Sequence, residues 1–181
     1  MCLLLLGSWG ATGAEPTALE LVKEGNRFLG EQSKDKVLTV HSEKSFLSLT
    51  PNVWYVAYYD PDALSKQAEV KFGAGRQIGI KRGWRPFGRS GTMDRVMNLK
   101  KLKYDSDYVI KNATTDPLVA KLTIKATQLW LENNELAPVW KVRLWAAKLK
   151  QPNATVSIGD LYISAETGKV VKSELHIEKV S

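Results

Sequence analysis

The chain has 181 residues, 44% hydrophobic and 25% charged, and carries a net charge of +7. This composition excludes a disordered chain, whose low hydrophobicity cannot offset the conformational entropy lost on folding, and the length allows one domain or two small ones. The single cysteine, Cys2, leaves the body of the protein without a disulfide, a CxxC pair or a thiolate metal site.

Residues 1–14 read as the end of a secretory signal peptide. The run Leu3-Leu4-Leu5-Leu6 passes into small residues, and Thr12 and Ala14 stand three and one residues before a cleavage point at Glu15. An exported chain without disulfides is held by packing alone, which suits a bacterial envelope protein. The expected compartment is the periplasm, the cell envelope or the extracellular space. No apolar run approaches the roughly 20 residues of a membrane-spanning helix.

Thr17-Ala18-Leu19-Glu20 is a capping box, and apolar residues recur at Ala18, Leu21, Val22, Phe28 and Leu29. This spacing predicts a helix over 17–32. Strands are predicted at Val37–His41 and at Val53–Tyr59, the latter β-branched and aromatic between Pro51 and Asp60-Pro61. Glu69–Phe72 and Gln77–Ile80 form a hairpin around Gly73-Ala74-Gly75. A second helix starts at Asp105-Ser106-Asp107, and Asp116-Pro117 opens a further short one. Leu122–Thr127 alternates as a strand, Val139–Trp145 is another, and Asp160–Ser164 with Lys169–Leu175 closes the chain as a hairpin.

The order helix, V-W-x-V strand, Gly-turn hairpin occurs twice. Val53-Trp54-Tyr55-Val56 corresponds to Val139-Trp140-Lys141-Val142, and Gly75-Arg76-Gln77-Ile78 to Gly168-Lys169-Val170-Val171. The division expected is a signal peptide (1–14), a first half (15–83), a basic connector (84–104) and a second half (105–181). Trp54 and Trp140 should then be buried at equivalent positions.

Ser106-Asp107 at the helix start, Pro138-Val139-Trp140-Lys141-Val142, and the run from Gly159 through Thr167-Gly168-Lys169-Val170-Val171 resemble the PepSY and PepSY-like family of exported bacterial domains. The family's closing hairpin reads V-D-A-x-T-G-x-V, and Ser164 stands here where the Asp is common. The resemblance covers 105–178 well and 17–80 in layout alone. It implies an α+β fold, cystatin-like, in which each of two similar halves is a helix packed on an antiparallel sheet. It also implies a role in inhibiting or regulating peptidases, although this chain carries no peptidase domain of its own.

Chemistry-bearing motifs are sparse. His41 and His176, the two histidines, lack the cysteines or HExxH spacing of a metal site and read as structural residues. Asp60-Pro61-Asp62 and Asp105-Ser106-Asp107 fit turn and helix-cap chemistry. No Gly-rich phosphate cradle is present, and neither a catalytic residue nor a cofactor is assigned. Charge is the asymmetric feature: eleven basic against three acidic residues lie between Lys71 and Lys111. Within that stretch Lys81, Arg82, Trp84, Arg85 and Arg89 interleave cations with an aromatic ring, as a site for phosphate or carboxylate groups would. A solvated loop accounts for the same residues. The sequence therefore predicts a non-enzymatic exported binding module acting on a protein partner such as an envelope peptidase. The alternative is a module that binds an anionic envelope polymer through the connector. Neither a membrane span nor a nucleic-acid partner is expected.

Overall fold

The computed structural model describes residues 15–83, 91–134 and 137–181. Its elements in chain order are α1 (Ala18–Gly25), β1 (Val37–Ser42), β2 (Val53–Tyr59), β3 (Gln67–Gly73), β4 (Arg76–Arg82), α2 (Ser106–Thr115), β5 (Ile124–Asn133), β6 (Pro138–Ala147), β7 (Thr155–Ser164) and β8 (Val170–Leu175), with short 3-10 turns between them. All eight strands belong to one antiparallel sheet in the order β4-β3-β2-β1-β5-β6-β7-β8.

This sheet corrects the expectation of two halves, each a helix on its own sheet. β1 and β5 lie side by side, with Thr39 opposite Glu132, Val40 opposite Leu131 and His41 opposite Trp130. Inward-facing Val40 and Leu131 therefore continue one hydrophobic layer across the middle of the molecule, and neither strand is left as an edge. The two α-helices among the described residues are short, 8 and 10 residues. Both lie on the same face of the sheet, and a single core cluster runs beneath them from Phe72 and Val70 through Val56, Val40, Leu131 and Val142 to Ile163. Trp54 on β2 and Trp140 on β6 are both buried in that layer, and their indole N–H groups donate to Pro51 O and Tyr104 O.

Local chemistry explains where the helices begin and end. The capping box at Thr17 and Glu20 is present, but α1 stops at Gly25, well short of residue 32. A Cβ at Gly25 would lie 2.1 Å from the Tyr58 hydroxyl, so only glycine lets the helix settle on β2 there. Asp105 caps α2 by accepting from Ser106 N at 2.6 Å, and the same carboxylate accepts from Leu19 N of α1 at 3.1 Å. Ser106 Oγ accepts from Ala18 N at 3.0 Å. The positive ends of both helix dipoles thus converge on one carboxylate. No helix follows Asp116. Its carboxylate accepts from Leu118 N, and backbone bonds three residues apart (Val119 to Asp116, Leu122 to Val119) make turns leading into β5. The strand foreseen over 122–127 starts later and runs on to Asn133.

Part of the connector is described. Gly91 N donates to Ser65 O, Met97 is buried with its N–H on Val37 O, and both Lys103 N and Tyr104 N donate to Ala165 O. Residues 91–104 are thereby tied to the ends of several strands. No described helix is long and apolar enough to cross a membrane.

Candidate docking face

The helices cover one side of the sheet. On the other side the period-2 alternation of the strands sets out a different row of residues. Register places Lys71, Tyr55, His41, Trp130, Lys141, Tyr162 and Lys172 across successive strands from β3 to β8. Arg143, Trp145 and Asp160 extend this face along β6 and β7.

Rings and charges are interlocked here. The His41 and Tyr55 rings stack at 4.7 Å with planes 6° apart. Lys71 lies over Tyr55, Lys141 and Arg143 over Trp130, Lys172 over Tyr162, and Lys44 over Trp145, at 4.7–5.4 Å from the ring centres. The acids are placed between the cations. Arg143 grips Asp160 with two hydrogen bonds, 2.7 and 2.9 Å, and Lys141 sits 3.2 Å from the same carboxylate. Tyr55 donates to Glu43 at 2.5 Å, and Tyr162 donates to Glu174 at 2.9 Å.

The titration of these groups follows from that pairing. Burial, the largest influence on Asp160, pushes its carboxyl up, but the hydrogen bonds and charges of Arg143 and Lys141 together hold it below the usual carboxylate range. Glu43 is lowered, chiefly by the Tyr55 hydroxyl and then by Lys71. Glu174 is lowered by Lys172 and Tyr162. Burial and then Glu174 push the Tyr162 phenol up to about 12. The face is therefore a fixed mosaic of both signs at neutral pH.

Beside it, the β1–β2 loop presents Phe46 and Leu47, 75% and 92% exposed. Leu47 takes φ +65°, a conformation that disfavours a branched side chain. The loop is anchored next to this tip: Ser45 N donates to Thr127 O at 2.8 Å, and Thr127 N donates to Ser45 Oγ at 2.9 Å. Shallow clefts interrupt the face, one of about 490 Å³ lined by Arg143, Ser157, Asp160, Glu174 and His176, another of about 150 Å³ against Lys141 and Tyr162.

The residues singled out in the connector fare differently. Lys81 and Arg82 lie on the edge strand β4, and as neighbours in a strand they point to opposite faces. Lys81 is exposed opposite Glu69. Arg82 is engaged internally, its Nε 3.4 Å from buried Asp60 and its Nη2 donating to Phe28 O at 3.2 Å. Trp84, Arg85 and Arg89 lie outside the described residues, as does the segment 1–14. Asp60 also accepts from Asp62 N, so this acidic pair makes a turn. His176 is 3.5 Å from Glu178, just past edge strand β8, whereas His41 lies on central β1. Among the described residues no three His, Cys, Asp or Glu side chains gather to hold a metal ion.

Searches against protein-family models, curated proteins and solved structures found no match to this chain.

Proposed function

We propose that this protein is an exported, non-enzymatic binding module that regulates a protein partner by docking it on the open face of the sheet. An envelope peptidase is the partner class that the PepSY-like closing hairpin suggests. The observation that carries the reading is the mosaic itself: Tyr55, Trp130, Tyr162 and Trp145 held between paired charges of both signs, beside an anchored apolar tip at Phe46-Leu47. Trp, Tyr and Arg are the side chains that carry most binding energy in protein interfaces. Their cations and hydrogen bonds hold these rings in place, so little side-chain entropy is lost on docking.

Charge balance argues for a protein over a polyanion. Lys71, Lys141, Arg143 and Lys172 are each matched on the same face by Glu43, Asp160 or Glu174. A polyanion would have to displace these carboxylates.

The test is capture from the exported fraction of the native cell on immobilised protein. Wild type should retain a discrete protein in about 1 M salt, where the screening length is about 3 Å. Trp130→Ala combined with Phe46→Ser should lose it. Loss of capture at high salt, with the double variant behaving as wild type, would favour an anionic polymer bound through Lys81 and the connector.

A further inference from the structure

We propose that β8 is a self-pairing edge, through which two copies of this chain join across a two-fold axis into one continuous antiparallel sheet. The sheet ends on β8, and Val170–Glu174 are all exposed, Val171 to 57%. An edge of this kind is a template for another strand unless something guards it.

The two edges of the sheet differ in how they are guarded. β4 carries Arg76, Lys81 and Arg82. Antiparallel pairing of β4 with its own copy about Gly79 would set Arg76 against Arg82 twice. β8 reads Val-Val-Lys-Ser-Glu-Leu from Val170 to Leu175. Paired with its own copy about Ser173, it sets Lys172 opposite Glu174 of the second copy twice, and Val171 opposite Leu175 of the second copy twice. Opposite charges and apolar pairs facing each other across strands stabilise a ladder, whereas like charges destabilise it.

Backbone geometry fits the same register. Asp160 stands opposite Glu174, and His176 N donates to Ile158 O at 2.6 Å, so these even-numbered residues direct their backbone groups at β7. Ser173 and Leu175 then turn theirs outward, where a central Ser173–Ser173 pair exchanges both bonds. Lys172 and Glu174 project on the same side as Tyr162, so the join would extend the open face from one copy to the next. The pairing rests on the exposure and register of β8 and not on the docking reading, although Lys172 and Glu174 also belong to the open face.

The experiment is sedimentation velocity at about 100 µM, where a contact of micromolar affinity is saturated. Wild type should sediment at twice the chain mass. Glu174→Lys, which faces Lys172 with a lysine, and Lys172→Glu, which faces Glu174 with a glutamate, should each weaken dimerisation roughly tenfold or more. An equimolar mixture of the two variants should recover the dimer, because each lysine pair then meets a glutamate pair. That recovery separates loss of pairing from loss of folding. A monomeric wild type, a dimer indifferent to both substitutions, or a mixture that stays monomeric would overturn the proposal.

Discussion

Single side chains hold this fold at a few identifiable atoms. Tyr58 is fully buried on β2 and donates to Val22 O of α1 at 2.7 Å. Tyr58→Phe leaves that carbonyl without its partner and should lower stability by about 1–2 kcal/mol in urea unfolding. Asp160 governs the acid limb. Its carboxyl is held below its ordinary range in the folded protein, so the unfolded chain binds more protons as pH falls through about 4. The contribution of Asp160 is thus present above that pH and lost below it. Asp160→Asn should cost about 1–2 kcal/mol at neutral pH, a figure reduced by the solvent exposure of Arg143. The deficit should shrink as pH falls towards 3, and unfolding curves across that range will show whether it does. The sequence marks Asp60 and Asp105 as turn and cap residues because those roles are local. It does not mark Asp160, whose role depends on Arg143 facing it across two strands.

At the scale of elements, the helix starts and the β7–β8 approach are the sensitive points. Asp105 serves Ser106 N on α2 and Leu19 N on α1, so Asp105→Ala removes the cap of α2 and a second acceptor from the first turn of α1, where the Thr17–Glu20 box remains. It should cost about 2–3 kcal/mol, more than the ~1 kcal/mol typical of a single cap. Asp105→Asn should recover most of that loss, since an amide oxygen can still accept. Gly159 has φ +111°, and a Cβ there would fall 2.0 Å from Glu174 O. Gly159→Ala should therefore loosen β8 and increase hydrogen exchange across Val170–Leu175 before the rest of the sheet unfolds. Several elements were legible from composition alone. β2 falls on the residues its aromatic run and flanking Pro51 and Asp60-Pro61 define. The extent of α1 was not legible, because Phe28 and Leu29 continue the helical spacing past Gly25. Beyond Gly25, which Tyr58 approaches from thirty-three positions away in sequence, the chain tightens into a 3-10 turn over Asn26–Phe28 and becomes extended at Leu29.

For the whole molecule, the decisive fact is the pairing of β1 with β5. Nothing local in Val37–Ser42 or Ile124–Asn133 announces it, since both strands alternate as any half-buried strand does. Once they join, eight strands share one helix-covered side and leave a broad opposite side. That side gathers Tyr55, Trp130, Lys141, Arg143 and Tyr162, residues spread over more than a hundred positions. Alternation such as that in Trp140-Lys141-Val142-Arg143-Leu144 is a sequence signal for the face, in and out, without saying what the outward residues would meet. The basic connector is legible in the sequence because charge is visible in one dimension, whereas this face exists only after strand order is set. The central claim is that a protein docks there, and the most direct measurement is photocrosslinking in the native cell. A photoreactive phenylalanine analogue placed at Trp130 or Phe46 should crosslink to one and the same protein. The analogue at Tyr108 or Lys111, both exposed on α2 on the helix-covered side, should not. Equal crosslinking from all four positions, or none from the first two, would contradict the account.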